Sequence, residues 1–333
     1  MNSVEVDVGK KICRASIKDT HGAILSELSF SNDSAGIESL IMRVKRYGDA
    51  RAVVESTGNM WMRIHDMLED NGIDTVLANP VKTKMIAEAK IKSDRADSKA
   101  IAELVRLDAL PSAYIPDPET AILQEKIRRR AFMVRERVRL RVKIKSILTY
   151  EGIKPPSDHG LFAEKGVEWL HSLSLEPVES YLTVIKPLDD EIKRVSKHLR
   201  ELAEDDEDIK LLMTILGVGY YTALLVKSEI GDINRFSDGD RLCNYGGLVP
   251  STHASGGTVR HGSITKEGSR WLRWVMVEAA MTHVHKYDTA ITKAYHRIAE
   301  RRGRQVATVA AARKLLLCCY AVLKNKHPYY DQA

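Results

Sequence analysis

The sequence predicts an α/β domain followed by a mainly helical half. Three observations carry this. Short β-like runs alternate with helical patterns over the first 80 residues, the stretches 119–150 and 178–205 contain no glycine, and the chain from about 206 is glycine-punctuated and then helical to its end.

In the first domain, "SVEVDVG" (3–9), "KICRASIKD" (11–19) and "AILSELSFS" (23–31) read as strands joined by glycine-containing turns such as "DTHG". "SAGIESLIMRVKRYG" (34–48) carries apolar residues at helical spacing, "ARAVVEST" (50–57) is a short buried strand, and "NMWMRIHDMLEDNG" (59–72) is helical. "IDTVLANP" (73–80) is a further strand, and "VKTKMIAEAK" and "KIKSDRADSKAIAEL" add helices. A β-meander followed by alternating helices and strands is the order of an RNase H-like mixed sheet covered by helices.

Prolines at 111, 116 and 118 in "LPSAYIPDPET" close this domain, which sets boundaries of 1–118, 119–205 and 206–333. The middle segment reads as two long helices, an antiparallel hairpin or coiled coil, parted by "EGIKPPSDHG". Within it "VRERVRLRVKIK" alternates apolar and basic residues with the period of a strand. The i, i+4 stripe Val134, Val138, Val142 and the absence of turn residues favour helix. In the last segment "LLMTILGVGYYTALLVKSEIGD" has the layout of a helix-hairpin-helix, where Gly217 and Gly219 would let backbone amides approach a phosphate. A plain turn packed in the core fits the same residues equally well.

At 333 residues, 44% apolar and 29% charged, the composition is that of a folded globular chain. No run approaches 18 uncharged apolar residues, and "MNSVEVDVGKK" places acids where a signal peptide carries bases, so a cytoplasmic protein without a membrane partner is expected. Cys13, Cys243, Cys318 and Cys319 form no C-x-x-C and no metal-spaced pair with His, which excludes a zinc motif and suits reduced thiols.

The net charge of +6 is modest, but its distribution is not. Between Lys126 and Lys145 there are ten Lys or Arg and a single acid, Glu136, a density that calls for a polyanionic partner. Arg128, Arg129, Arg130, Arg135, Arg137, Arg139, Arg141, Lys143 and Lys145 are therefore candidate nucleic-acid contacts. A solvated helix face is the competing reading, although such faces usually interleave Glu with Lys.

The acids give the chemistry. Asp7 ends the first strand, flanked by valines where an inward acid would be expensive unless paired or metal-bound, and Glu55 ends the fourth. Asp94 and Asp97, at i and i+3, share one helix face. One of that pair could serve as an N-cap, but in an RNase H-like sheet the first and fourth strands are adjacent and the helix after the last strand packs across them. Four converging carboxylates make sense around Mg²⁺ or Mn²⁺, and two such ions about 3.5–4 Å apart serve phosphodiester chemistry.

"DVGK", "VVESTGNMW", "ANPVKTK" and "KSDRADSKAIAEL" together resemble the DEDD-tetrad transposases of small bacterial insertion sequences, whose RuvC-like domain carries these four acids. "LGVGYYTALLVKSEIGDINRFSDGDRLCNYGGLVPSTHASGG" followed by "GSITKEGSRWLRWVMVEAA" is similar to that family's second, transposase-type domain. The resemblance implies strand exchange between donor and target double-stranded DNA, guided by a structured bridge or seek RNA. It also implies a synaptic tetramer and a covalent serine intermediate. Ser255 matches the nucleophile, with Arg260, His261 and Lys266 as candidates for phosphate contact or proton transfer. Ser251, Ser263 and Ser269 are alternatives if the match is shifted, and a turn serine beside Gly256 and Gly257 is the bland reading of Ser255.

The leading expectation is thus an RNA-guided, Mg²⁺-dependent recombinase acting on the bacterial nucleoid as a dimer or tetramer. A RuvC-like endonuclease or junction resolvase using water is the enzymatic alternative, and a non-catalytic binding protein with a remnant site is the third. Trp61, Trp169, Trp271 and Trp274 read as too scattered for a base-stacking surface and are assigned to cores, as are Cys318 and Cys319. "ERRGRQ" (300–305) is a basic turn, solvated or in contact with nucleic acid.

Overall fold

The structure is a computed structural model that describes residues 1–55, 58–78, 114–157, 159–255 and 258–330, with the backbone alone at 252–255 and 258–261. By contact it divides into two units, Met1–Ile115 and Pro116–Ala333.

Alternation builds the first sheet. In β1 (Asn2–Asp7) Val4 and Val6 are buried, while Ser3, Glu5 and Asp7 turn to the other face. β2 (Ile12–Lys18) and β3 (Ile24–Ser31) follow as an antiparallel meander, then α1 (Ser34–Lys45), β4 (Ala50–Glu55), α2 (Met62–Asp70) and β5 (Asp74–Ala78). The sheet order is β3-β2-β1-β4-β5, with β1, β4 and β5 parallel. This mixed sheet with crossover helices is compatible with an RNase H-like domain.

α1 starts where Asp33 accepts a hydrogen bond from the Gly36 amide at 2.9 Å. It then buries Ile37, Leu40, Ile41 and Val44 at helical spacing. With Ile64 and Leu68 of α2 these pack on Val4, Val6, Ile17, Val54 and Leu77. Each fully buried aliphatic side chain contributes about 2 kcal/mol of transfer free energy. The helices predicted from 81 to 104 lie outside the described residues.

The second unit opens with α3 (Pro118–Tyr150), whose start is set by the Asp117 carboxylate accepting from the Thr120 amide at 2.9 Å and by Pro118 at its first position. α4 (Glu164–Ser172), α5 (Glu176–Glu204), α6 (Glu207–Met213), α7 (Tyr220–Ile230) and α8 (Gly239–Tyr245) follow. A β-hairpin, β6 (Pro250–Ser255) and β7 (Thr258–Ile264), precedes α9 (Arg270–Lys286), α10 (Ala290–Arg302) and α11 (Arg304–Asn325). The hairpin is an addition to a half expected to be helical.

The segment with strand-like alternation is helical, as expected, but the stripe invoked for it is not the one that packs. Val138 and Val142 are 48% and 58% exposed. The buried line runs through Ile127, Ala131, Ile144 and Leu148, with Val134, Arg137 and Arg141 half-buried between them. α3 and α5 pack as a hairpin with two separate cores. Toward one end Ile127 and Met133 join Val195 and Leu199 in the core of the C-terminal helices. Toward the other, Ile144 and Leu148 pack with Leu170 of α4 and Leu182 of α5. At the midpoint Arg137 and Arg141 both clasp Asp189 of α5, at 2.7 and 3.1 Å. By length and composition α11 could cross a membrane, yet its Leu315, Leu316 and Cys319 are fully buried in the core of this unit.

Candidate functional site

Asp7 and Glu55 are brought together by register. Val6 and Val54 are partners across the parallel β1–β4 pair, so the next residues of each strand leave the same end of the sheet on the same face, about 4.8 Å apart along the hydrogen-bonding direction. That face is the one turned away from α1 and α2, because Val6 and Val54 point into the helix-covered core. It is a charged face: Lys18 pairs with Glu5 at 2.9 Å and Arg51 with Asp74 at 2.8 Å.

Contrary to the sequence-based expectation, Asp7 is exposed rather than inward, and the valines flanking it, Val6 and Val8, point the other way into the core. The turn after Asp7 is held tightly. A Cβ on Gly9 would lie 2.1 Å from the Ile12 carbonyl oxygen, and the Gly9 carbonyl accepts from Asn32 Nδ2 at 3.0 Å. An all-oxygen pair at adjacent strand ends suits a hard divalent cation. Asp94 and Asp97 lie outside the described residues.

Ser255 is the last residue of β6 and the cross-strand partner of Thr258, the first of β7. Arg260 stands opposite His253 and His261 opposite Thr252 on the same hairpin. The base of the hairpin is tied down. The Thr265 amide donates to the Val249 carbonyl at 2.9 Å, and Arg273 Nη1 donates to the Gly246 carbonyl at 3.0 Å. Gly247 and Gly268 leave no room for a side chain, since a Cβ would come within 2.4 Å of Glu267 O and 2.1 Å of Tyr245 O respectively. Lys266 sits in this interlock with φ at +56° and its side chain exposed. Among the alternatives, Ser269 is occupied structurally. Its hydroxyl accepts from the Leu272 amide at 3.1 Å as the α9 cap and donates to Glu229 Oε2 at 2.7 Å. Ser251 is half-buried and Ser263 exposed.

The two glycines of "GVG" separate. Gly217, with φ at +89°, packs against α9, where a Cβ would meet Ala279 O and His283 Cβ at 3.0 Å. The His283 ring fixes this packing through Leu216 O and Thr289 Oγ1, each at 2.7 Å. Gly219 is exposed at the start of α7 with open space about its Cα. Gly217 is thus a packing glycine, and Gly219 stands exposed at the N-cap of α7.

The basic run of α3 divides in the same way. Arg137 and Arg141 are held by Asp189, Arg128 by buried Glu229, and Arg130 by Ser196 Oγ at 2.7 Å and the Tyr221 ring at 4.4 Å. Arg129 and Arg139 are exposed beside their helix neighbours Glu125 and Glu136. Arg135, Lys143 and Lys145 are exposed as well. α5 adds bases that lie outside the run singled out by sequence. Arg194, Lys197 and His198 line a groove of about 440 Å³ with Lys126 and Arg129 of α3. Their spacing in "KRVSKHLRE", one face of a helix at i, i+3, i+4, is the signal that points to them.

Comparison with known proteins identifies the family. A transposase family model for DEDD-type IS110 elements matches residues 4–151, and the model for the transposase IS116/IS110/IS902 family matches residues 209–297. The chain is 29% identical over 289 residues to the transposase of insertion sequence element IS1111A from Coxiella burnetii, covering 83% of this chain and 78% of that one. It is 25% identical over 301 residues to the IS1328 transposase of Yersinia enterocolitica, covering 86% and 84%. A pilin gene-inverting protein of Moraxella bovis is 23% identical over 318 residues, covering 90% and 89%. Two models of one family, in order along both units, and relatives spanning most of the chain make this protein a member of the DEDD insertion-sequence transposases, an enzyme that acts on DNA.

Proposed function

We propose that this transposase exchanges strands between a donor and a target DNA under the direction of a structured guide RNA, with Ser255 as nucleophile and Asp7, Glu55, Asp94 and Asp97 as the acidic tetrad. The observation that carries the catalytic half of this reading is the register of Val6 with Val54, which sets Asp7 and Glu55 at neighbouring strand ends. The carboxylate donors suit Mg²⁺ or Mn²⁺, which when bound would neutralise charge at the scissile phosphate and polarise its oxygens.

The residues of the chain do the rest. Asp7 and Glu55 fix the position of the phosphate-binding centre on a strand end that Gly9 and Asn32 keep rigid. Ser255 Oγ forms an ester bond to phosphorus as a sugar oxygen of the DNA leaves, and the hydroxyl proton passes to a base, for which His261 is the candidate on the paired strand. In this reading Arg260 and Lys266 hold phosphate oxygens. A phosphoserine bond preserves the energy of the cut link for rejoining, which water does not. The relative named for inverting a pilin gene favours exchange over plain hydrolysis.

In this reading the α3–α5 hairpin is a self-association arm of a dimer or tetramer. The guide, whose pairing supplies sequence specificity, rests on the family resemblance. The test is to sequence RNA that copurifies from a bacterial host carrying the intact element, then to assay strand exchange with that RNA using wild-type, Ser255→Ala and Asp7→Asn proteins. A discrete RNA required for exchange, with both variants inactive and a protein–DNA adduct only in the wild type, supports the reading. DNA cleavage that needs no RNA and survives Ser255→Ala replaces it with a water-using nuclease.

A further inference from the structure

Of Trp271 and Trp274, both expected from sequence in the core, Trp271 packs on it and Trp274 lies at the surface. Their rings meet edge to face with centroids 5.8 Å apart at 77°. Trp271 is half-buried against the helical core, while Trp274 is 38% exposed. Three guanidiniums surround Trp271: Arg128, Arg135 and Arg270, at 5.9, 5.7 and 5.8 Å from the ring centroid. Of these, Arg128 is neutralised by Glu229. Arg135 and Arg270 are exposed and have no carboxylate partner among the described residues.

The juxtaposition is specific. Arg135 comes from the basic run of α3, whereas Arg270 and both tryptophans come from the first turns of α9, directly after the hairpin that carries Ser255. Duplex DNA offers this surface only phosphates, which the arginines alone would satisfy. An exposed indole gains nothing from a stacked, paired base. An unpaired base offers a π-face to Trp274 while its phosphate reaches Arg135 or Arg270, and such stacking tolerates any base. Trp271, seated on the core beside the Arg128–Glu229 pair, braces Trp274 edge to face, so less of its side-chain freedom is lost on binding.

We infer that Trp274, backed by Trp271 with Arg135 and Arg270 about the Trp271 ring, is a binding surface for unpaired nucleotides beside the Ser255 hairpin. The inference rests on the chain being a DNA-acting transposase and does not need the guide. The unpaired nucleotides come either from RNA or from a separated DNA strand.

The test titrates full-length wild-type and Trp274→Ala protein with oligo(dT), oligo(rU) and a mixed-sequence duplex of equal length. Circular dichroism and thermal melting verify that the variants fold. Trp274→Ala weakens single-strand binding about tenfold and changes duplex binding less than twofold, and Trp274→Phe restores most of the loss. Arg135→Gln and Arg270→Gln each lower the salt slope of single-strand binding by about one. Tighter binding of oligo(rU) assigns the surface to RNA, and tighter binding of oligo(dT) assigns it to an opened DNA strand; either supports the inference. Binding by Trp274→Ala equal to wild type, an equal loss for duplex and single strands, or no single-strand binding by the wild type overturns it. Retained duplex binding in that last case leaves the transposase reading intact.

Discussion

Asp7 and Glu55 stand one residue beyond the in-register pair Val6 and Val54, at the same end of adjacent parallel strands. Asp7 is exposed and Glu55 half-buried, so neither carboxylate supports the core. Asp7→Asn and Glu55→Gln should therefore leave the melting temperature within a few degrees of wild type while lowering strand transfer by about 10³-fold, the order expected when several kcal/mol of charge stabilisation is lost. The check is a thermal melt beside a strand-transfer assay over a Mg²⁺ series. A matched drop in stability and activity would move these acids from chemistry to structure.

Asp189 tests the division within the basic run. Its carboxylate takes two half-buried guanidiniums, Arg137 and Arg141, at the gap between two apolar cores. Asp189→Ala leaves both without their acceptor and should destabilise the protein by about 1–2 kcal/mol, a buried-pair cost discounted for the roughly one-quarter exposure of the three side chains. Arg139→Ala and Lys143→Ala, both exposed, should stay within about 0.5 kcal/mol of wild type while each lowers the salt slope of DNA binding by about one. Denaturant unfolding and filter binding over a salt series separate the two groups.

The first sheet is legible in the sequence because its strands carry their signal locally. Valines at alternate positions, Gly9 and Gly22 at the turns and the Asp33 cap each act over a few residues. The α3 helix is legible in kind but not in facing. Val138 and Val142 have the spacing of a packing stripe, and only the partner helix shows that Arg137 and Arg141 occupy it, paired to a residue 48 to 52 positions away. The β6–β7 hairpin does have a local signal, though the glycine-rich loop around it reads first as a plain turn. In the sequence two glycines, the kind of spacer that signals a hairpin, stand between flanks that pair as Ser255 with Thr258. The tryptophan pair is hidden from sequence because its arginines come from α3 and α9, far apart in the chain.

Gly217 and Gly219 offer a paired experiment. Gly217→Ala places a methyl at about 3.0 Å from α9 atoms in a left-handed backbone, so a loss of about 2 kcal/mol is expected. Gly219→Ala meets open space and should cost less, up to about 1 kcal/mol, because alanine is a poorer N-cap than glycine. If the α7 amides hold a phosphate, Gly219→Ala nonetheless weakens DNA binding severalfold. Unchanged binding would leave this motif a packing device.

Cysteine chemistry gives a test independent of nucleic acid. Burial pushes the Cys243 thiol up to about 11, with Arg313 only partly offsetting it. Burial likewise raises Cys13 and Cys319. All three are buried, so at pH 8 they are protonated and shielded, and Cys318 is only partly accessible. Iodoacetamide should modify at most one thiol rapidly in the native protein and all four in denaturant, read by mass spectrometry. Rapid native labelling of Cys243 would contradict the packing of α8 against α11.

Lys266 separates backbone from side chain at the base of the Ser255 hairpin. A non-glycine residue at φ +56° costs about 1 kcal/mol, which Lys266→Gly relieves, less the entropy glycine adds to the unfolded chain. Stability should therefore stay level or rise slightly in Lys266→Gly and stay level in Lys266→Ala, because the side chain is exposed. Strand transfer should fall in both variants and recover in Lys266→Arg, since the lost element is a cation near the hairpin. Full activity in Lys266→Ala would mean that the interlock with Gly247 and Gly268 is what this position supplies. A position that gains stability and loses function on the same substitution is one where local strain is kept for the sake of the cation it presents.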